Sequence, residues 1–187
     1  MKEFAGSAFK AASVGGAFYI VGRYIIHQSN MDYSSAADWL FRLVLIVFII
    51  WSIVSLKNRQ EGMLLFGEGF KMGFLTTSFL ALYLSLGTAF FCKYINPQYT
   101  EGLEQSYRTL HYNQMMRKYI AETWKKDTIT QGAIDTINRG LDLNIEKYTG
   151  HLFTFSGQVQ MSFLYSFLWG IMISVTVSVL ARKTADD

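Results

Sequence analysis

FGEGFKMGFLTTSFLALYLSLGTAFFCKYINP, residues 66–97, decides how the rest of the chain is read. It opens on a polar, glycine-flanked turn that carries Glu68 and Lys71. It then holds no charge from Met72 to Cys92, and it stops at Lys93 and at Pro97, the only proline. About 20 apolar residues cross a bilayer core of ~30 Å as a helix rising ~1.5 Å per residue, so this stretch is long enough to span. One face of it is small: Gly69, Gly73, Thr77, Ala81, Ser85 and Ala89 recur at every fourth position. Small residues at that spacing let a neighbouring backbone approach closely inside lipid, which makes this stripe the predicted helix-packing or partner face.

Two apolar runs precede it, residues 8–26 and 39–56. The first has Ala8, Ala12 and Gly16 at spacing four. Lys10 and Arg23 sit near its opposite ends, from which long cationic side chains snorkel to headgroups. A cleaved signal peptide shares the basic start and apolar centre, but the run is read as a first transmembrane helix. The second run is bulkier and poor in small residues, which predicts a place outside a core shared by the small-faced helices. Arg42 lies about one turn inside its outer end. Arg23 and Arg42 either bind an anionic group or serve as anchors, snorkelling or pairing with Asp32 or Asp38.

After Pro97 come residues 98–161, mixed in character and balanced in charge. Leu103, Tyr107 and Leu110, and then Ile134, Ile137, Leu141 and Ile145, recur at helical spacing. Thr128 and Gln131 resemble a capping box between two such helices. The pattern predicts a helical hairpin that buries one stripe against the other. A last apolar run, residues 163–181, carries Ser166, Gly170 and Ser174 on a further small stripe flanked by Ser162 and Ser178. The expected fold class is therefore all-α: four transmembrane helices in one integral domain over residues 1–187, with the 98–161 hairpin inserted between the third and fourth.

Composition agrees. Of 187 residues, 51% are hydrophobic and only 17% charged, below the quarter usual for soluble domains. The net charge of +3 is mild, and no basic stripe interleaved with aromatics points to nucleic acid. The sole cysteine, Cys92, cannot form an intrachain disulfide. Lys57, Arg59 and Lys71 outnumber Glu61 and Glu68 in the short loop before the third span. By the positive-inside rule that loop is cytoplasmic, so both termini are cytoplasmic and the hairpin lies outside. The same loop predicts an interfacial bend near Gly69, with Lys71 reaching lipid phosphates or a partner and Glu68 pairing with Lys71 or Arg59.

No HExxH, CxxC, phosphate loop or GxSxG occurs, and His27, His111 and His151 are not spaced as metal ligands. The expectation is a chain without catalytic, cofactor or metal residues. No acidic residue sits in the middle of a span, where ion-coupled transporters place them. The leading functional reading is a non-catalytic subunit or scaffold that binds another membrane protein or a second copy of itself. The alternatives are a small anion or solute transporter or channel, with Arg23 and Arg42 near its mouth, and a membrane anchor for a lipid-linked glycosyltransferase.

Phe66, Gly67, Phe70, Lys71 and Gly73 enter the third span, and Asn96 and Pro97 close it. With four spans and a long loop before the last, this pattern resembles the bacterial family catalogued as domain of unknown function 4199. The resemblance covers nearly the whole chain. It implies a small multi-pass protein of the bacterial inner membrane and brings no activity with it.

Overall fold

The computed structural model describes residues 2–122 and 131–182. Thr128 of the expected capping box and Lys183, after the last span, lie outside the described residues. Among the described residues six α-helices follow one another: α1 (Lys2–Gln28), α2 (Ser35–Arg59), α3 (Phe66–Phe90), α4 (Tyr99–Glu122), α5 (Gln131–Asn144) and α6 (Phe155–Ala181). A π-helical turn, Phe91–Ile95, extends α3. A second π turn, Ile145–Thr149, and a 3₁₀ turn, Gly150–Phe153, follow α5. The described residues contain no strand. Four helical segments are long and apolar enough to span a membrane: Phe4–Gln28, Ser35–Arg59, Phe66–Ile95 and Phe155–Ala181. The protein is an all-α membrane protein.

The helix ends follow from local chemistry. The Ser34 hydroxyl accepts from the Ala36 amide at 3.2 Å and so caps α2, whose first amides have no partner within the helix. The chain leaves α2 through Glu61 (φ 54°) and Gly62 (φ 89°). Left-handed backbone suits glycine, so the reversal before α3 is made at Gly62. This corrects the expected bend at Gly69, which lies buried in the first turn of α3. At the far end of α3 the chain leaves helical geometry at Asn96 (φ −134°, ψ 82°). Pro97 enforces this, because proline disfavours helical conformation in the residue before it.

The chain forms two compact units, Met1–Pro97 with Val159–Asp187, and Gln98–Gln158. In the first, α3 packs on both α1 and α2, and α1 packs on α2. Its core is built from Ala8, Ala12 and Tyr19 of α1, a line from Phe41 to Leu56 on α2, and Met72, Leu80 and Leu84 of α3. Leu45, Ile49 and Ile53 of α2 are at most 1% exposed. The expectation that the second span lies outside the core is thus overturned. Its bulky side chains fill the notches that glycines leave on neighbouring helices. A Cβ on Gly15 would lie 3.0 Å from Phe48, one on Gly22 2.7 Å from Leu40, and one on Gly73 3.0 Å from Ile53.

The second unit has its own small core, Ile137, Leu141 and Ile145, at the spacing of four expected of one helix face. Arg108 on α4 donates to Glu104 at 2.9 Å, one turn back, and to Asp142 on α5 at 2.6 Å. The hydrogen bond that Arg108 donates to Asp142, then the one it donates to Glu104, holds its guanidinium above its ordinary pKa. Tyr107 beside it donates to Asn144 at 3.3 Å and packs on Phe153, with ring centroids 5.3 Å apart.

Candidate functional site

The small stripes of α3 and α6 meet in antiparallel register. A Cβ on Gly69 would lie 3.2 Å from Ser178 Oγ, and one on Gly73 2.7 Å from Ser174, while one on Gly170 would overlap the Thr77 side chain. The residue numbers rise along α3 in fours as they fall along α6 in fours. The same register brings Ala81 and Ser166, both 0% exposed, to one level. The seam is also hydrogen bonded: Thr77 Oγ1 and Ser174 Oγ are 3.1 Å apart, Ser85 donates to the Val159 carbonyl, and Thr88 donates to Ser162. Gly69, Gly73, Thr77, Ala81, Ser85, Ser166, Gly170 and Ser174 are therefore buried within this chain, and only Ala89 of the predicted stripe is half-buried.

A polar cluster closes the bundle at the C-terminal end of α1. Arg23 and Asp32 are only 5% and 7% exposed. The Arg23 guanidinium lies 4.1 Å above the Phe91 ring, within cation–π range. Asp32 Oδ2 contacts His27 Nδ1 at 2.6 Å and accepts from Asn96 Nδ2 at 2.8 Å. His27 also meets Phe91 edge-on, with centroids 5.9 Å apart. One carboxylate oxygen thus ties α1, the turn before α2 and the residue that ends α3. Below it, Tyr19 Oη and Thr88 Oγ1 are 3.1 Å apart. Of the alternatives expected of Arg23, its burial disfavours snorkelling: the π turn after α3 carries Phe91 over it, and the ring face replaces part of the lost hydration.

At the opposite end, Phe4 and Ser7 of α1, Ser55, Leu56, Arg59 and Gln60 at the end of α2, and Met72 of α3 enclose a cleft of about 190 Å³. Arg59 Nη1 donates to Ser7 Oγ at 2.9 Å, and Gln60 Nε2 donates to Glu68 Oε2 at 3.0 Å. Glu68 therefore pairs with Gln60 and not with Lys71 or Arg59 as expected. Gln60 reaches it because the Gly62 reversal folds the end of α2 back beside the start of α3.

A family model described as "Protein of unknown function (DUF4199)" matches residues 10–183. The chain belongs to this family. No curated protein and no solved structure matches it. In this DUF4199 chain the residues that carried the resemblance fall at the two ends of α3. Phe66, Gly67, Phe70 and Lys71 lie on its first two turns, with Phe66 and Phe70 stacked at 6.1 Å, and Gly73 opens onto Ser174. Asn96 belongs to the polar cluster.

The remaining predicted side chains are separate from both sites. Lys71 is exposed. Arg42 is exposed and donates to Tyr165 Oη at 3.4 Å, with Trp39 and Trp169 rings 5.7 and 6.0 Å away. A cation among amphipathic rings suits the border of a membrane. No three His, Cys, Asp or Glu side chains among the described residues converge as metal ligands would. Sequence reasoning missed His27, Asp32 and Asn96 as a set, and Ser7, Arg59 and Gln60 as another. The Asn-Pro exit of α3 was the one signal for the first; no spacing rule joins the members of the second.

Proposed function

We propose that this protein is a non-catalytic subunit or scaffold of the bacterial inner membrane that binds another membrane protein. Both termini are cytoplasmic in this reading, and residues 98–158 lie in the periplasm. The observation that carries it is the second compact unit, with its own buried core of Ile137, Leu141 and Ile145, built between two spans. A folded insertion of this kind presents a fixed surface for recognition. Leu110 and Leu143, 57% and 64% exposed, are its apolar contacts for a partner. The small seam of α3 is not that contact, because α6 already fills it.

Affinity purification of the full chain from membranes, with mass spectrometry, tests the proposal. A specific membrane protein is expected with the wild type and lost from a Leu110→Asp, Leu143→Asp variant that still inserts. Equal recovery from both overturns the contact assignment. A lipid-linked glycosyltransferase recovered in this way would make the protein its anchor. Orientation is read with an impermeant thiol reagent on intact cells: Tyr112→Cys should label and Lys57→Cys should not, and the reverse pattern inverts the topology. A second reading, passage of a small anion, draws on the buried Arg23. Anion flux in liposomes that is lost on Arg23→Gln and kept on Arg42→Ala would favour it.

A further inference from the structure

We infer that the cleft at the N-terminal end of α1 is a binding site for a phosphate ester bearing a free hydroxyl, a glycerophosphate group. Three features of the cleft select that chemistry. Arg59 spends one N–H on Ser7 and keeps the rest of its planar fork for an anion, and such a fork matches phosphate oxygens. Gln60 Oε1 is buried and has no hydrogen-bond partner among the described residues. Its orientation is fixed, because the amide nitrogen must face the Glu68 carboxylate to which it donates, so the carbonyl is left needing a donor. The ionised oxygens of a phosphodiester only accept, whereas a glycerol hydroxyl can donate. Ser7 and Ser55 add hydroxyls at the rim.

The rest of the cleft is apolar. Phe4, Leu56 and Met72 line it, with Leu56 and Met72 9% and 2% exposed. A volume of about 190 Å³ is below the ~300 Å³ at which pockets begin to hold drug-sized ligands, so it fits a headgroup fragment and not a whole solute. The walls come from the ends of three candidate membrane spans, and the ends of a span meet the headgroup phosphates of a bilayer. Lys57, in the same last turn of α2 as Arg59, adds to the positive charge of that helix end. The ligand comes either from a phospholipid such as phosphatidylglycerol or from a soluble glycerol phosphate, and the two share the recognised group.

The test measures binding to the full chain in a neutral detergent, with short-chain phosphatidylglycerol and short-chain phosphatidylcholine as probes. Phosphatidylglycerol should bind preferentially. Arg59→Gln and Gln60→Met should each weaken it about tenfold, the usual loss for one buried or charged hydrogen bond. Ser7→Ala, which keeps the helix intact, should weaken it less. Equal binding of the two lipids, or wild-type affinity in well-folded Arg59→Gln and Gln60→Met, overturns the site. Competition identifies the source. Displacement by sn-glycerol 3-phosphate marks a soluble ligand, and failure of glycerol phosphate to displace the lipid marks a membrane one. Displacement by dimethyl phosphate, which has no hydrogen-bond donor, as strong as by glycerol phosphate would overturn the role given to Gln60.

Discussion

At Gly170 an added Cβ would overlap the Thr77 side chain, and at Gly73 it would come within 2.7 Å of Ser174. Tight packing of this kind leaves no room for a larger residue, and overpacking a core costs ~1–3 kcal/mol or more. Gly170→Leu is expected to lower the melting temperature of the detergent-solubilised protein clearly. Gly140 on α5 meets nothing within 4 Å of its Cβ position, so Gly140→Ala should leave stability unchanged or raise it by ~0.5–1 kcal/mol through helix propensity. Asp32 poses the polar counterpart. Its Oδ2 serves both His27 and Asn96. Asp32→Ala strands two donors, at ~1–3 kcal/mol, and Asp32→Asn, which keeps an acceptor, should cost less by the same melting assay. The small stripes were legible because spacing four is visible in a string of letters. The burial of Arg23 was not legible, because its neighbour Phe91 lies far along the chain.

Elements were legible in number and kind, less so in their mutual packing. The four apolar runs became α1, α2, α3 and α6 because length and composition decide whether a helix can span. The partner of each small stripe was not legible. A step of four turns a helix face by ~40°, so a long stripe can be shared among several neighbours. In the structure α3 gives its stripe to α6 and to Ile53 of α2. In sequence, the bulk of α2 points to a place outside the shared core. Bulk also fills glycine notches, and here Leu40, Phe48 and Ile53 do so while Leu43, Val47 and Trp51 stay exposed. The turn before α3 was displaced by several residues for a similar reason: several glycines stand together in sequence, and only the backbone tells which one bends. Gly62 has φ 89°, so Gly62→Ala is expected to cost ~1 kcal/mol, while Gly67→Ala, helical and in open space, should be neutral or slightly stabilising. Chemical or thermal melting of the pair separates them, and equal effects would contradict the turn assignment.

For the whole molecule, stability divides as the contacts do. The first unit buries large side chains from α1, α2 and α3 together, and in a bilayer such packing is held by dispersion and hydrogen bonds between helices. Among its described residues the second unit has far fewer buried groups, Ile137, Leu141 and Ile145, together with the polar clasp of Arg108, Glu104 and Asp142. Exposed ion pairs of that sort contribute little, ~0–1 kcal/mol, so the apolar stripe carries the unit. Leu141, 4% exposed, is the middle residue of that stripe. Leu141→Ala removes ~2–5 kcal/mol where few other contacts can compensate. Hydrogen exchange on the full-length protein should then accelerate at the amides of α4 and α5, with α1–α3 serving as the internal reference. Exchange that stays slow in α4 and α5 would mean that the unit is held by something other than its own core.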